Sequence, residues 1–170
     1  MSRNRLLPVL LVLVGALAVA AAVAFAAAPE KITRRGVGQV ALKATYTSLH
    51  AQRLVGRIHK GCELAGPQAR AANLKAPLKG SVDFTMTSPR KVTDITVRGG
   101  ATARGVGIGA TIAQIKAKFP RARVDHSTDS TFGTTRVAVP RSGGGRIEFA
   151  VDVHTHKTVL IGVPFIATCD

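Results

Sequence analysis

The ten residues Val40–Leu49, VALKATYTSL, return 66 positions later as Val106–Ile115, VGIGATIAQI. Val40/Val106, Leu42/Ile108, Ala44/Ala110, Thr45/Thr111 and Leu49/Ile115 keep that spacing. The likeness runs on in both directions. Upstream, Gly36–Leu42 lies over Thr102–Ile108. Downstream, Leu74–Pro77 matches Val137–Pro140 at an offset of 63, and Val82-Asp83-Phe84 matches Ile147-Glu148-Phe149 at 65. Lys91, Ile95 and Val97 match Lys157, Ile161 and Val163, again at 66. Matches that hold one order and nearly one offset read as a tandem repeat, and changes in turn length produce the drift.

Both units read alike. A short β segment ends at a threonine. Thr111 and Gln114 have the spacing of a capping box, in which the hydroxyl accepts from a first-turn amide and the glutamine reaches back. Ile112, Ile115 and Phe119 recur at helical spacing, and Pro120 stops the helix. In the first unit Thr45 takes the cap, and Tyr46, Leu49, Arg53 and Leu54 are expected along the helix. Three strands follow. Val82, Phe84 and Met86 alternate with Ser81, Asp83 and Thr85, a period of two that buries one face. Ser88-Pro89-Arg90 turns the chain, and Val92 to Val97 returns it. In the second unit Thr134 to Val139 leads through the loop 141–145 to Ile147, Phe149, Val151 and Val153. A turn near His154–Lys157 then leads to Val159, Ile161 and Val163. Arg121 to Asp125 can add a short strand.

The expected fold is therefore α+β. It is a tandem repeat of a helix plus three antiparallel strands, with about two helices on one face of a roughly six-stranded antiparallel sheet. The other face, rich in Thr, Lys, Arg and Asp, is expected to meet water. The expected organisation is a signal peptide at 1–26, a basic linker at 27–35, one unit at 36–100 and a second at 101–170.

The signal reading rests on Arg3 and Arg5, then a run from Leu6 to Ala28 without charge. Ala24-Phe25-Ala26 supplies the small residues a signal peptidase reads, so cleavage is expected after Ala26. The alternative is an uncleaved anchor, since that run is long enough to span a bilayer. The 170 residues carry 24 Lys+Arg against 9 Asp+Glu, a net charge of +15. Loss of Arg3 and Arg5 leaves 22 basic residues against 9 acidic ones, net +13. The expected localisation is secreted or attached to the cell envelope.

The glycines Gly105, Gly107 and Gly109, with Thr111, Ile115, Phe119, Ile147, Phe149, Ile161 and Val163, carry a family resemblance. The order of glycine-bearing β segment, Thr-capped helix and hairpin resembles the superfamily of the β-lactamase inhibitor protein and the small outer-membrane-assembly lipoproteins. It is also similar to uncharacterised exported proteins of high-GC Gram-positive bacteria. The resemblance covers the architecture of roughly residues 36–165. It implies a non-enzymatic sheet that binds another protein, and it supplies no catalytic residues. The inhibitor has a disulfide in each repeat, whereas this chain has one cysteine in each half.

Cys62 and Cys169 are an even pair in a chain read as exported, which favours a bond between them; two free thiols are the alternative. Closing a loop of about 108 residues contributes up to about 4–5 kcal/mol in the chain-entropy account. Asp152, His154 and His156 would share one face of a strand and are a weak metal candidate, but the first unit places a turn there. Gly105-x-Gly107-x-Gly109 reads as a turn feeding a capped helix, because G-K-[ST] and G-x-G-x-x-G are both missing. Asp125-His126-Ser127 has the letters of a triad, but sequence neighbours rarely reach triad geometry. No serine sits in a G-x-S-x-G setting. No cofactor is expected.

The basic surface comprises Arg53, Arg57, Lys60, Arg90, Lys91, Arg98, Arg104, Lys116, Lys118, Arg121 and Arg123. It suits an anionic wall polymer or a lipid surface. No Trp and a single Tyr leave no stacking platform for nucleic acid. The expected function is an exported, non-catalytic module that binds a protein partner through an open sheet face. An envelope binder of anionic polymer or lipid is the second reading, and a hydrolase the third. Membrane contact is expected only through the N-terminal segment.

Overall fold

The computed structural model describes residues 28–140 and 146–167. The signal or anchor segment, the loop 141–145 and Cys169 lie outside them. Among the described residues no helix is long and apolar enough to cross a membrane.

Thr45 has extended backbone, and its hydroxyl accepts from the Ser48 amide at 3.3 Å. That bond starts α1, Tyr46–Ala51, whose one buried residue is Leu49. The helix stops there. Arg53 takes φ +58°, and the chain leaves as β4, Val55–Lys60. Arg53 and Leu54 were expected on the helix because they continue the spacing of Tyr46 and Leu49, but the Leu54 carbonyl already accepts from the Lys75 amide at 2.9 Å, at the entry to β4. A bulge sets Val55 opposite Leu74 and Ile58 opposite Ala72, three residues against two. It turns two apolar side chains three apart toward the same layer, which breaks the strand's period of two.

Then come a 3-10 turn at Glu63–Ala65, β5 at Arg70–Leu74, β6 at Lys79–Phe84 and β7 at Val92–Gly99. Met86 lies beyond the end of β6 and is exposed. The second half has α2 at Ile112–Lys118, entered through a complete capping box of Thr111 and Gln114. After it come β9 at Arg123–Asp125, α3 at Asp129–Phe132, β10 at Thr134–Val139, β11 at Ile147–Asp152 and β12 at Thr158–Val163.

The main sheet has eight strands, in the order β4-β5-β6-β7-β12-β11-β10-β9, and every pairing is antiparallel. The expected count of six is corrected to eight, and two helices become three. Four short strands build a second sheet. They are β1, Glu30–Thr33; β2, Gly36–Val37; β3, Val40–Ala41; and β8, Ala101–Thr102. Their order is β3-β2-β1-β8, with β1 and β8 parallel. The stretch 27–35, expected as a linker, thus contains a strand that ties the two halves together, and its Ile32 is buried in the core.

Each half is a helix followed by a four-strand meander, and the two meet at β7 and β12. There Ile95 faces Val163, Thr96 faces Gly162 and Val97 faces Ile161. Thr96 and Gly162 are 66 apart and pair with each other, so the register is that of a two-fold. Backbone bonds recur at the same offset. The Lys43 amide donates to Val92 and the Val92 amide to Ala44, both at 2.9 Å. Gly109, Thr158 and Ala110 repeat these two bonds at 2.8 Å. The Val37–Val40 pair returns as Ala103–Val106.

The core fills the space between helices and sheet. Leu49 and Ile115 come from the helices, and Val82, Ile95, Val137, Phe149 and Ile161 from the strands. Ile115, Ile95, Phe149 and Ile161 are fully enclosed. Burial of such side chains contributes roughly 1.5–3 kcal/mol each.

The opposite face departs from expectation. Thr96, Asp94 and Glu148 should meet water but are buried, along with Ala150 and Leu160. The chain itself covers them. After β12, residues 164–167 turn back across the sheet. Ile166 packs on Ala150 and Leu160. Gly162 lies so close under the Phe165 carbonyl that a β-carbon there would collide with it.

Candidate functional site

The face opposite the helices is made of cross-strand rows. One runs Asn73, Ser81, Thr96, Gly162, Glu148, Ala138, Arg123. Beside it in the first half run His59, Ala71, Asp83 and Asp94. In the second half run Leu160, Ala150, Arg136 and Asp125. The alternation of each strand brings these polar side chains to one surface.

Glu148 organises the second half of that surface. Its Oε1 pairs with Arg146 Nη2 at 2.8 Å, and Arg136 Nη1 lies 3.7 Å from Oε2. Oε2 also accepts the Ile166 amide at 2.9 Å, which fastens the tail. The Glu148 and Arg136 side chains are only 10% and 12% exposed. A carboxylate so placed is stable only when charges and donors surround it. Arg136 Nε and Thr96 Oγ1 are buried without a hydrogen-bond partner among the described residues.

Two clefts flank the tail. One, of about 670 Å³, is lined by His59, Asn73, Ser81, Asp83, Arg98 and Ala167. The other, of about 400 Å³, is lined by Leu64, Met86, Asp94, Phe165 and Ala167. Cys62 borders both. Leu64, Met86 and Phe165 are large apolar side chains exposed to 84%, 50% and 40%. They rim a single hollow, and polar residues surround it. Sequence reading missed this grouping, because Leu64 sits in a 3-10 turn and Phe165 in the tail, where no periodicity marks them.

The remaining expected residues are dispersed. Thr45, Thr111 and Gln114 form their caps. Among the described residues no three or more His, Cys, Asp or Glu side chains are placed to hold a metal ion, Asp152, His154 and His156 included. Asp152 Oδ1 accepts from the amides of His154 and Thr155 and from the Thr155 hydroxyl. These bonds, led by the Thr155 amide, hold its carboxyl below the usual carboxylate range. A turn occupies 153–155, and His156 takes φ +56°. In the stretch 125–127, Asp125 accepts from the Ser127 amide, and His126 pairs with Asp129 at 2.9 Å instead. That pairing, with the Thr135 hydroxyl, lowers the Asp129 pKa.

The basic residues spread over the molecule. Arg90 donates to the Thr85 and Gln68 carbonyls, and Lys60 pairs with Glu63. Lys91 is exposed before β7, Lys116 and Lys118 are exposed on α2, and Arg123 is exposed on the edge strand β9. Arg98 lies in the larger sheet-face cleft. Arg53 and Arg57 share a hollow with His50 and Lys75. Arg104 and Arg121 share another with Arg34, which sequence reading had not singled out.

No family model matches this chain, and neither a curated protein nor a solved structure shows significant similarity to it.

Proposed function

We propose that this chain is an exported, non-catalytic module that binds a protein partner through the sheet face opposite its helices. Contact centres on the hollow rimmed by Leu64, Met86 and Phe165. The supporting observation is that grouping, since contiguous apolar surface inside a polar rim is the usual mark of a protein contact. The covered second half serves as a rigid flank, and the first half offers the contact. Export rests on the N-terminal charge and hydropathy pattern. The recurrence of backbone bonds at an offset of 66 supports descent from one duplicated unit.

A Cys62–Cys169 disulfide belongs to the same reading. Ala167 borders the clefts that Cys62 borders, and Cys169 follows two residues later, a reach of about 7 Å. The bond would hold the tail beside the contact hollow.

Photo-crosslinking in the native envelope tests the proposal. A crosslinker at Leu64 or Met86 should capture one protein in high salt. The same probe at Phe132, exposed elsewhere on α3, should not. Equal capture from all three positions, or capture unaffected by Phe165→Asp, would overturn it.

A further inference from the structure

We propose that Met86 is a reversible oxidation site whose sulfoxide weakens binding at the sheet face, a regulation that rests on the contact proposed above. The 170 residues hold two methionines, Met1 and Met86. Met1 falls in the segment removed on export, so Met86 is the one methionine of the processed chain. It sits just past the end of β6, is 50% exposed, and rims the hollow of about 400 Å³ with Leu64 and Phe165. It belongs to neither buried apolar cluster. An exported chain is without the thiol pool that keeps a cytosol reducing. An oxidant therefore reaches this thioether directly, and little around it reverses the reaction by chance.

The turn that carries Met86 is fastened without it. The Thr85 amide donates to the Lys91 carbonyl at 2.8 Å, and the Lys91 amide donates to the Thr85 hydroxyl at 3.0 Å. That hydroxyl donates to the Thr87 carbonyl at 3.2 Å, and Arg90 Nη1 donates to the Thr85 carbonyl at 3.1 Å. These bonds close the segment 85–91 and use no atom of Met86. A change at its sulfur thus alters the surface of the rim and leaves the scaffold folded.

The step is a two-electron oxygen transfer from hydrogen peroxide. The sulfur lone pair attacks one peroxide oxygen, the O–O bond breaks and an S–O bond forms. The departing hydroxide takes the proton of the transferred hydroxyl and leaves as water. Methionine is oxidised to its sulfoxide, the peroxide is reduced, and thiol-dependent sulfoxide reductases restore the thioether.

The product carries a polar S–O group where the thioether offered a flexible apolar surface. A partner that docks on the rim strips water from this oxygen without replacing its hydrogen bond, which costs affinity. Leu64 and Phe165 are inert to peroxide. Cys62 also borders the hollow, but the disulfide proposed above takes its thiol out of this chemistry. Met86 alone then decides how the rim responds.

Peroxide treatment of the chain as its host processes it, read by peptide mass mapping and crosslinking, tests the proposal. One added oxygen, about 16 Da, is expected on the peptide that holds Met86, with the melting temperature unchanged. Capture in the native envelope by a photo-crosslinker at Leu64 should fall about tenfold on oxidation. It should return after treatment with reductases for both sulfoxide epimers. Met86→Leu should lose the response to peroxide, and Met86→Gln should capture as weakly as the oxidised chain without any treatment. Equal capture by the reduced and the oxidised chain overturns the regulation alone. No capture by the reduced chain overturns the contact, and the regulation falls with it. A response to peroxide that persists in Met86→Leu, or a Met86 that stays unmodified, overturns the site.

Discussion

Asp83 and Glu148 match along the chain, one in each half, each flanked by an apolar pair that enters the core. In the sheet, however, Ser81 stands against Thr96 as Glu148 stands against Gly162, so Asp83 lies one row away from the true counterpart of Glu148. Their surroundings differ. Asp83 is half-buried and borders an open cleft, whereas Glu148 is enclosed by Arg136, Arg146 and the tail. The strands that follow explain the contrast. After β7 the chain continues into β8 and the second half. After β12 it turns back and lies over the sheet. The main sheet's strand order and the β7–β12 pairing are the same from either side, but only the segment after β12 folds back over the face. The tail covers Ala150 and Leu160 and reaches the β7 side of the first half, whereas His59, Ser81 and Asp83 border a cleft beside it.

The sharpest break of that comparison removes the carboxylate from each half. Glu148→Ala leaves Arg136 buried without its partner and deprives the Ile166 amide of its acceptor. A loss of about 3–5 kcal/mol is expected, read by denaturant unfolding. Asp83→Ala should cost much less, because water reaches its surroundings. Equal losses would mean that the two faces are not differently organised.

Cutting the proposed tail link comes next. Reduction, or Cys62→Ser, should lower stability by about 2–4 kcal/mol. Intact mass should rise by about 2 Da on reduction of one bond. Hydrogen exchange should accelerate at Ile166 and Leu160 while the first-half strands β5 and β6 stay protected. No mass change would remove the link, and the tail would then depend on its bond to Glu148 and on the packing of Ile166.

Much of this was legible in the sequence, for physical reasons that differ by region. The helix starts at Thr45 and Thr111 are local chemistry, so neighbouring residues suffice to read them. The strands β6, β10 and β11 alternate cleanly, and their buried face follows from period alone. β4 was hidden because Leu54, just before it, continues the apolar spacing of α1, and because a bulge breaks the strand's own period of two. The tail was hidden for another reason. Pro164-Phe165-Ile166-Ala167 has no period, and its place depends on Gly162, Ala150 and Leu160 lying together on the far face. That is a property of the assembled sheet. Glu148 read as a water-facing strand residue because alternation reports which side a residue takes, not what later covers that side. The hollow shared by Arg34 and Arg104 depends on a parallel pairing between residues about 70 apart and on a left-handed turn, neither of which leaves a local mark.

The smallest expected difference lies at the helix starts, where the halves are most alike. Thr45 accepts one amide, from Ser48 at 3.3 Å, and nothing reaches back to its own backbone. Thr111 accepts the Gln114 amide at 3.3 Å, and its own amide donates to Gln114 Oε1 at 2.9 Å. Substitution by alanine should therefore cost about 0.5–1 kcal/mol at Thr45 and about 1–2 kcal/mol at Thr111. The second half needs the stronger start, because α2 is followed by an edge strand of three residues, whereas α1 leads into one of six. Thermal melts of the two single variants decide the matter. If Gln114→Ala removes the difference, the reciprocal bond is its source. If Thr45→Ala proves the costlier change, the edge strands do not set the demand on their helices.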